Sequence, residues 1–106
     1  MNYEVILSRP AERALEHLPR DAQTRVLSIL RALRDDVRPP GAVAMAEMHG
    51  AYRIRSGSIR VVYAVRDMEL IVLVLAIADR SDVYSKREMS RIRRTLREWR
   101  ERHSGQ

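Results

Sequence analysis

Two strand-like runs meeting at Gly57-Ser58 constrain this chain most: Tyr52-Arg53-Ile54-Arg55-Ser56 before the turn and Ile59-Arg60-Val61-Val62-Tyr63 after it. Bulky and polar residues alternate at the two-residue period of a strand, and a glycine-first pair suits a type II′ hairpin turn. The turn fixes the register: Ser56 faces Ile59, Arg55 faces Arg60, Ile54 faces Val61 and Tyr52 faces Tyr63. Because side chains alternate between faces, Arg53, Arg55 and Arg60 share one side of the hairpin, and Tyr52 and Tyr63 point into a core on the other. A second turn at Asp67-Met68 and the apolar run Leu70 to Ile77 add a third antiparallel strand. Carried through a two-residue turn, the register pairs Arg60 with Leu75.

The rest of the chain supplies layers for that sheet. Tyr3-Glu4-Val5-Ile6-Leu7 predicts a first strand joining the meander. Ser8 is an N-cap with Pro10 in the first turn, and Ala11, Ala14, Leu15 and Leu18 recur at helical spacing. After Pro19, Asp21 is expected to cap a second helix with Ala22, Val26, Ile29, Leu30 and Leu33 on one face, ending at Arg38-Pro39-Pro40-Gly41. The short connection makes a helical hairpin, and the sheet is the surface available to bury it. Residues 42–46 are weakly patterned, and 47–50 suggest a short strand or bend. Ser85-Lys86-Arg87-Glu88 has the form of a capping box; Met89, Ile92, Leu96 and Trp99 form a narrow apolar stripe on a last helix. The expected fold is α+β: a small twisted, mainly antiparallel β-sheet, an N-terminal helical hairpin packed on one face and a C-terminal helix, in the order β-α-α-β-β-β-α. Residues 1–85 form the body, and 86–106 a basic helix of the same domain.

Charge narrows the function. The net charge is +6 over 106 residues, yet 1–85 carry 12 Arg against 11 acidic residues while 86–106 carry 8 Lys or Arg against 3 Glu. The body is nearly neutral with cations focused at one place, and the tail is basic, a distribution suited to a polyanionic partner. Without Cys there is no disulfide framework or thiolate metal site, and His17, His49 and His103 have no metal-ligand spacing. No cofactor is expected. No signal peptide is visible, and the longest apolar run falls far short of the roughly 20 residues of a membrane span, so a cytoplasmic protein with no membrane partner is expected.

Like charges placed opposite each other destabilise a strand pair, so Arg55 facing Arg60 needs a reason. An anion held between them would turn the repulsion into binding. Arg80 and Tyr84 follow the third strand closely, giving a candidate phosphate-binding, RNA-facing site of Arg53, Arg55, Arg60, Arg80 and Tyr84. The plainer alternative is a solvated basic face, its arginines paired with Glu47, Asp79 or Asp82.

The order strand, helical hairpin, meander, with Gly50-Ala51-Tyr52-Arg53-Ile54-Arg55, then Gly57-x-x-Arg60-Val61-Val62-Tyr63, then Asp79-Arg80-Ser81-Asp82-Val83-Tyr84, resembles the RelE/ParE superfamily of bacterial toxins, and within it the RelE-type mRNA interferases. The resemblance covers roughly residues 2 to 85. It implies the toxin of a type II toxin–antitoxin system, a ribosome-dependent mRNA endoribonuclease cleaving without metal by attack of the nucleotide's own 2′-hydroxyl. By the same resemblance Arg60, Arg80 and Tyr84 are catalytic and Arg53 and Arg55 bind the substrate phosphate. The implied partners are a cognate antitoxin, in a toxin–antitoxin hetero-oligomer, and the ribosome with its mRNA. Positions 53 and 55 are often Lys in such nucleases, and Asp79 stands where many relatives carry His. Arginine does not release its proton, so slow turnover or dependence on ribosomal groups is expected. The alternatives are a ParE-like DNA gyrase inhibitor and a catalytically weak relative acting in an antitoxin corepressor complex.

Overall fold

The central hairpin forms in the register its turn dictates. In the computed structural model, which describes residues 2–79 and 81–103 with the side chains of 81 and 82 excepted, β1 is Glu4–Leu7, α1 Arg9–Glu16, α2 Arg20–Asp35, β2 Val43–Ala44, β3 Ala51–Ser56, β4 Ile59–Arg66 and β5 Ile71–Ala78; a 3-10 turn at Ser81–Tyr84 leads to α3, Lys86–His103. Between β3 and β4, Arg55 pairs with Arg60, Ile54 with Val61 and Tyr52 with Tyr63. Gly57 carries the turn at φ +61°, a backbone conformation that favours glycine; the nearest atom to a Cβ there is the tip of the flexible Arg25 side chain of α2, which can move aside.

The third strand is where register departs from expectation. Arg60 faces Ala78, not Leu75. Two residues of the shift come from the connection, which is longer than Asp67-Met68 and ends with Leu70 at φ 56° before Arg66 pairs with Ile71. The third comes from a bulge: Tyr63 pairs with Val74 but Val62 with Ala76, leaving Leu75 extra on β5. Leu75 and Ala76 thus pack on the same side of the sheet, while Val74 and Ile77 pack on the other.

The sheet order is β1-β5-β4-β3-β2, with β1 parallel to β5 and the other pairs antiparallel. Val43 pairs with Arg53 and Ala44 with Tyr52, so the weakly patterned segment contributes a two-residue edge strand, one more than the expected order contained. The helical hairpin covers one face: Ala11, Val26, Leu30 and Leu33 pack on Val61, Tyr63, Val72, Val74 and Ile77. The stripe of α3 covers the other: Met89, Ile92, Leu96 and Trp99 meet Val62, Ala64, Leu73 and Leu75. With a layer on each side, central strands are buried on both faces and lose the polar alternation of a half-exposed strand.

The caps explain the helix limits. Ser8 Oγ accepts from the Ala11 amide (3.3 Å) and donates to Leu75 O (3.3 Å), tying the start of α1 to β5. Asp21 does not cap α2. Pro19 takes that position without a side-chain bond, and Asp21 lies in the first turn, where the positive helix end favours its charge. Gln23 instead closes the hairpin, its amide donating to the α1 carbonyls of Leu15 and Glu16. The Ser85 hydroxyl accepts from the Glu88 amide at the start of α3.

A polar clasp ties the chain after α2 to the sheet. Arg38 donates to Tyr52 Oη (2.8 Å) and to Asp67 Oδ2 (2.8 Å), Tyr3 Oη donates to Asp67 Oδ1 (2.7 Å), and the rings of Tyr52 and Tyr63 stack at 5.7 Å. Below them Tyr63 donates to Val37 O (2.8 Å), and burial pushes its phenol up to about 12. The bonds from Arg38 and Tyr3 hold the Asp67 carboxyl below the usual range. A depressed carboxylate contributes stability above its unfolded pKa and loses that contribution as pH falls through the lower folded value. Asp67→Ala is therefore expected to flatten the acid limb of a melting-temperature profile; an unchanged limb would show that the clasp stores no pH-dependent stability.

Candidate active site

Arg53, Arg55 and Arg60 come together because strand alternation and the hairpin register place them on the α3 side of the sheet, beyond the part that α3 covers. With Tyr84, Ile54, Gly41 and Val43 they line a cleft of about 450 Å³. The hairpin supplies the floor, β2 and the chain before it one wall, and the end of the 3-10 turn the other. Val83 is buried in the α3 core, and this anchor sets Tyr84, half-buried, at the mouth.

Within the cleft the groups are oriented unequally. The Arg53 guanidinium lies 5.4 Å from the Tyr84 ring centroid, a cation–π contact that steers both. Arg60 donates one Nη1 bond to Ser58 O (2.8 Å) across the turn, which fixes the guanidinium and leaves its other donors available. Arg55 is exposed. Among the described residues the ion pairs are Arg38–Asp67, Arg66–Glu69 and Arg91–Glu88, and none involves the cleft arginines. Of the carboxylates the solvated-face alternative named, Glu47 and Asp79 thus make no such pair, while the Asp82 side chain lies outside the described residues. Asp79 lines a separate hollow with His17, Leu18 and Pro19 on the α1 side. His49 contributes its backbone carbonyl, which accepts from Arg100 Nη2 at 3.2 Å.

Four of the five expected site residues thus share one cleft. Arg80, and with it any pairing by the Asp82 side chain, lies outside the described residues. The wall formed by Gly41 and Val43 was missed. Its only signal was the Pro39-Pro40-Gly41 stop, since two paired residues leave no periodicity to detect. Among the described residues no group of three or more acidic or His side chains could hold a metal ion, and no helix is long and apolar enough to cross a membrane. Chemically, three clustered guanidiniums can grip the oxygens of a phosphodiester through forked hydrogen bonds, and an aromatic ring at the rim can stack on a base.

Comparison with solved structures places this architecture among RelE toxins. The chain is similar to the RelBE2 toxin–antitoxin complex of Mycobacterium tuberculosis, with 25% identity and a TM-score of 0.67 over 77% of this chain and 95% of the other. It is similar to a free mutant of the Escherichia coli toxin RelE at 19% identity and a TM-score of 0.74, covering 91% of this chain and 99% of that one. The archaeal RelE–RelB complex from Pyrococcus horikoshii gives 24% identity and a TM-score of 0.67, over 76% and 98%. No curated protein sequence matches the chain. A family model described as the ParE toxin of the type II toxin–antitoxin system parDE matches residues 5–84, from the first strand to the tyrosine of the cleft. This chain therefore belongs to the ParE toxin family of type II toxin–antitoxin systems, within the RelE/ParE superfamily.

Proposed function

We propose that this toxin is a ribosome-dependent mRNA endoribonuclease, with Arg53, Arg55, Arg60, Arg80 and Tyr84 as its working residues. The observation that carries the reading is the cleft itself: three guanidiniums set against one another, free of carboxylate partners among the described residues, beside an oriented tyrosine. In the reaction the 2′-oxygen bonds to phosphorus as the bond to the 5′-oxygen breaks. The 2′-hydroxyl proton leaves to an acceptor, the 5′-oxygen gains a proton, and the products are a 2′,3′-cyclic phosphate and a 5′-hydroxyl. Arg53 and Arg55 hold the substrate phosphate, Arg60 clamps its equatorial oxygens, Arg80 works on the leaving-group side and Tyr84 orients the base. Such a site works by alignment and by stabilising developing charge. Arginine cannot serve as the proton acceptor, so the ribosome or solvent supplies it, and turnover without ribosomes is slow. RelE structures solved with RelB support a cognate antitoxin as the inhibitory partner.

The ParE description of the matching family favours a second reading, inhibition of DNA gyrase. One experiment separates the two. Purified protein is given a defined mRNA with and without programmed ribosomes and, in parallel, gyrase with relaxed plasmid. Cuts that need ribosomes, with supercoiling unaffected, are expected. Blocked supercoiling with intact mRNA would establish the gyrase reading instead.

A further inference from the structure

The last helix carries more positive charge than folding needs, and the charge is arranged. Its four core residues occupy one stripe. Lys86, Arg93, Arg97 and Arg100, spaced by seven, four and three, line one flank of that stripe, with Ser90 and Glu101 at its outer edge, and all four cations are exposed. The other flank is mixed: Glu88, Arg91, Arg94, Thr95 and Glu98 face a groove of about 530 Å³ toward α1 and the end of β5. One contact and one neighbour in sequence show which way this cationic flank looks. At its far end Arg100 donates to His49 O, just before β3; at its near end Lys86 follows Tyr84, whose ring lies against Arg53 of β3. At its Arg100 end this cationic flank therefore meets the β3 side, and at its Lys86 end it begins two residues after the tyrosine of the cleft.

We propose that Lys86, Arg93, Arg97 and Arg100 continue the cleft as a track for the sugar-phosphate backbone of single-stranded RNA. The proposal rests on reading the cleft as a phosphate site. From Lys86 to Arg100 the helix rises about 21 Å, room for several phosphates beyond the one held between Arg53, Arg55 and Arg60. A row of like charges on a single flank carries a cost in self-repulsion that a bound polyanion relieves. Tyr84 stands at the junction, where a base can stack while the backbone turns from cleft to helix. The track holds RNA without reading its sequence, because its contacts are charges to phosphate.

The test uses the full chain and a short single-stranded 2′-O-methyl RNA, which 2′-hydroxyl attack cannot cut. Lys86→Gln/Arg93→Gln/Arg97→Gln is compared with a charge-matched triple on the other side of the helix, Arg91→Gln/Arg94→Gln/Arg102→Gln. All six positions are exposed, and circular dichroism confirms folding. The track triple is expected to bind about tenfold or more weakly at ~0.1 M salt, with the slope of log affinity against log salt reduced by about 2. The control triple is expected to stay within about threefold of wild type. Equal losses in both triples would mean that net charge alone acts, and would overturn the track, as would no loss in the track triple. Weakened binding of an acidic peptide with RNA binding unchanged would give the flank to a protein partner and overturn it as well. Because the probe is never cut, a protein that cuts nothing yet loses binding asymmetrically keeps the track and loses the nuclease; one that cuts but loses binding symmetrically keeps the nuclease and loses the track.

Discussion

Arg60→Ala is expected to lower ribosome-dependent cleavage by about 10²–10³-fold, the usual consequence of deleting one preorganised charge-stabilising donor, without lowering the melting temperature. The second half of that expectation follows from the surroundings. Arg60 is half-exposed; its neighbours Ile59 and Val61 hold the strand in the core, and its one described hydrogen bond goes to a carbonyl of an exposed turn. Its removal also relieves the direct opposition to Arg55. Arg60→Lys keeps the charge but not the forked donor pair and is expected to fall between the two. A folded Arg60→Ala protein that cuts at the wild-type rate would take the cleft out of the mechanism.

The legible parts of this fold are those fixed by short-range chemistry. Gly57-Ser58 specified its turn, the turn specified the β3–β4 register, and that register alone brought Arg53, Arg55 and Arg60 to one face. The apolar positions of α2 and α3 were equally open to reading, because a helix repeats its pattern over several turns. The β4–β5 pairing could not be followed in the same way. Its connection is longer than Asp67-Met68 suggests, and the extra residue at Leu75 lies inside an apolar run where Val, Leu and Ala leave no mark of which residue goes unpaired. Nor did local pattern announce the Arg38 clasp, which joins residues 29 positions apart in sequence. The candidate site was readable because it breaks a rule of sheet stability, and a broken rule at a well-specified position is informative. Its β2 wall breaks no rule and left no trace.

Trp99→Ala is expected to cost about 3–5 kcal/mol, a large part of the roughly 5–15 kcal/mol that holds a domain together, and to lower the melting temperature by roughly 12 °C or more. The size comes from how little else secures α3. The helix is mostly charged, and four buried residues hold it on the sheet: Met89, Ile92, Leu96 and Trp99. Trp99 is the largest and is 6% exposed. It also serves two neighbours. The His103 ring stacks on it at 4.0 Å, and the Arg66 guanidinium lies 5.3 Å from its centroid. Arg66 bonds Glu69 on one side, while its Nη1 is buried without a hydrogen-bond partner among the described residues. The indole face beneath this guanidinium gives the cation a π partner. Alanine would remove the packing and strand the cation together, whereas Trp99→Phe keeps a ring and is expected to recover much of the loss. Thermal melts of the two variants decide it: if Trp99→Ala melts near wild type, the stripe does not hold α3, and the basic track built on that helix has no fixed platform.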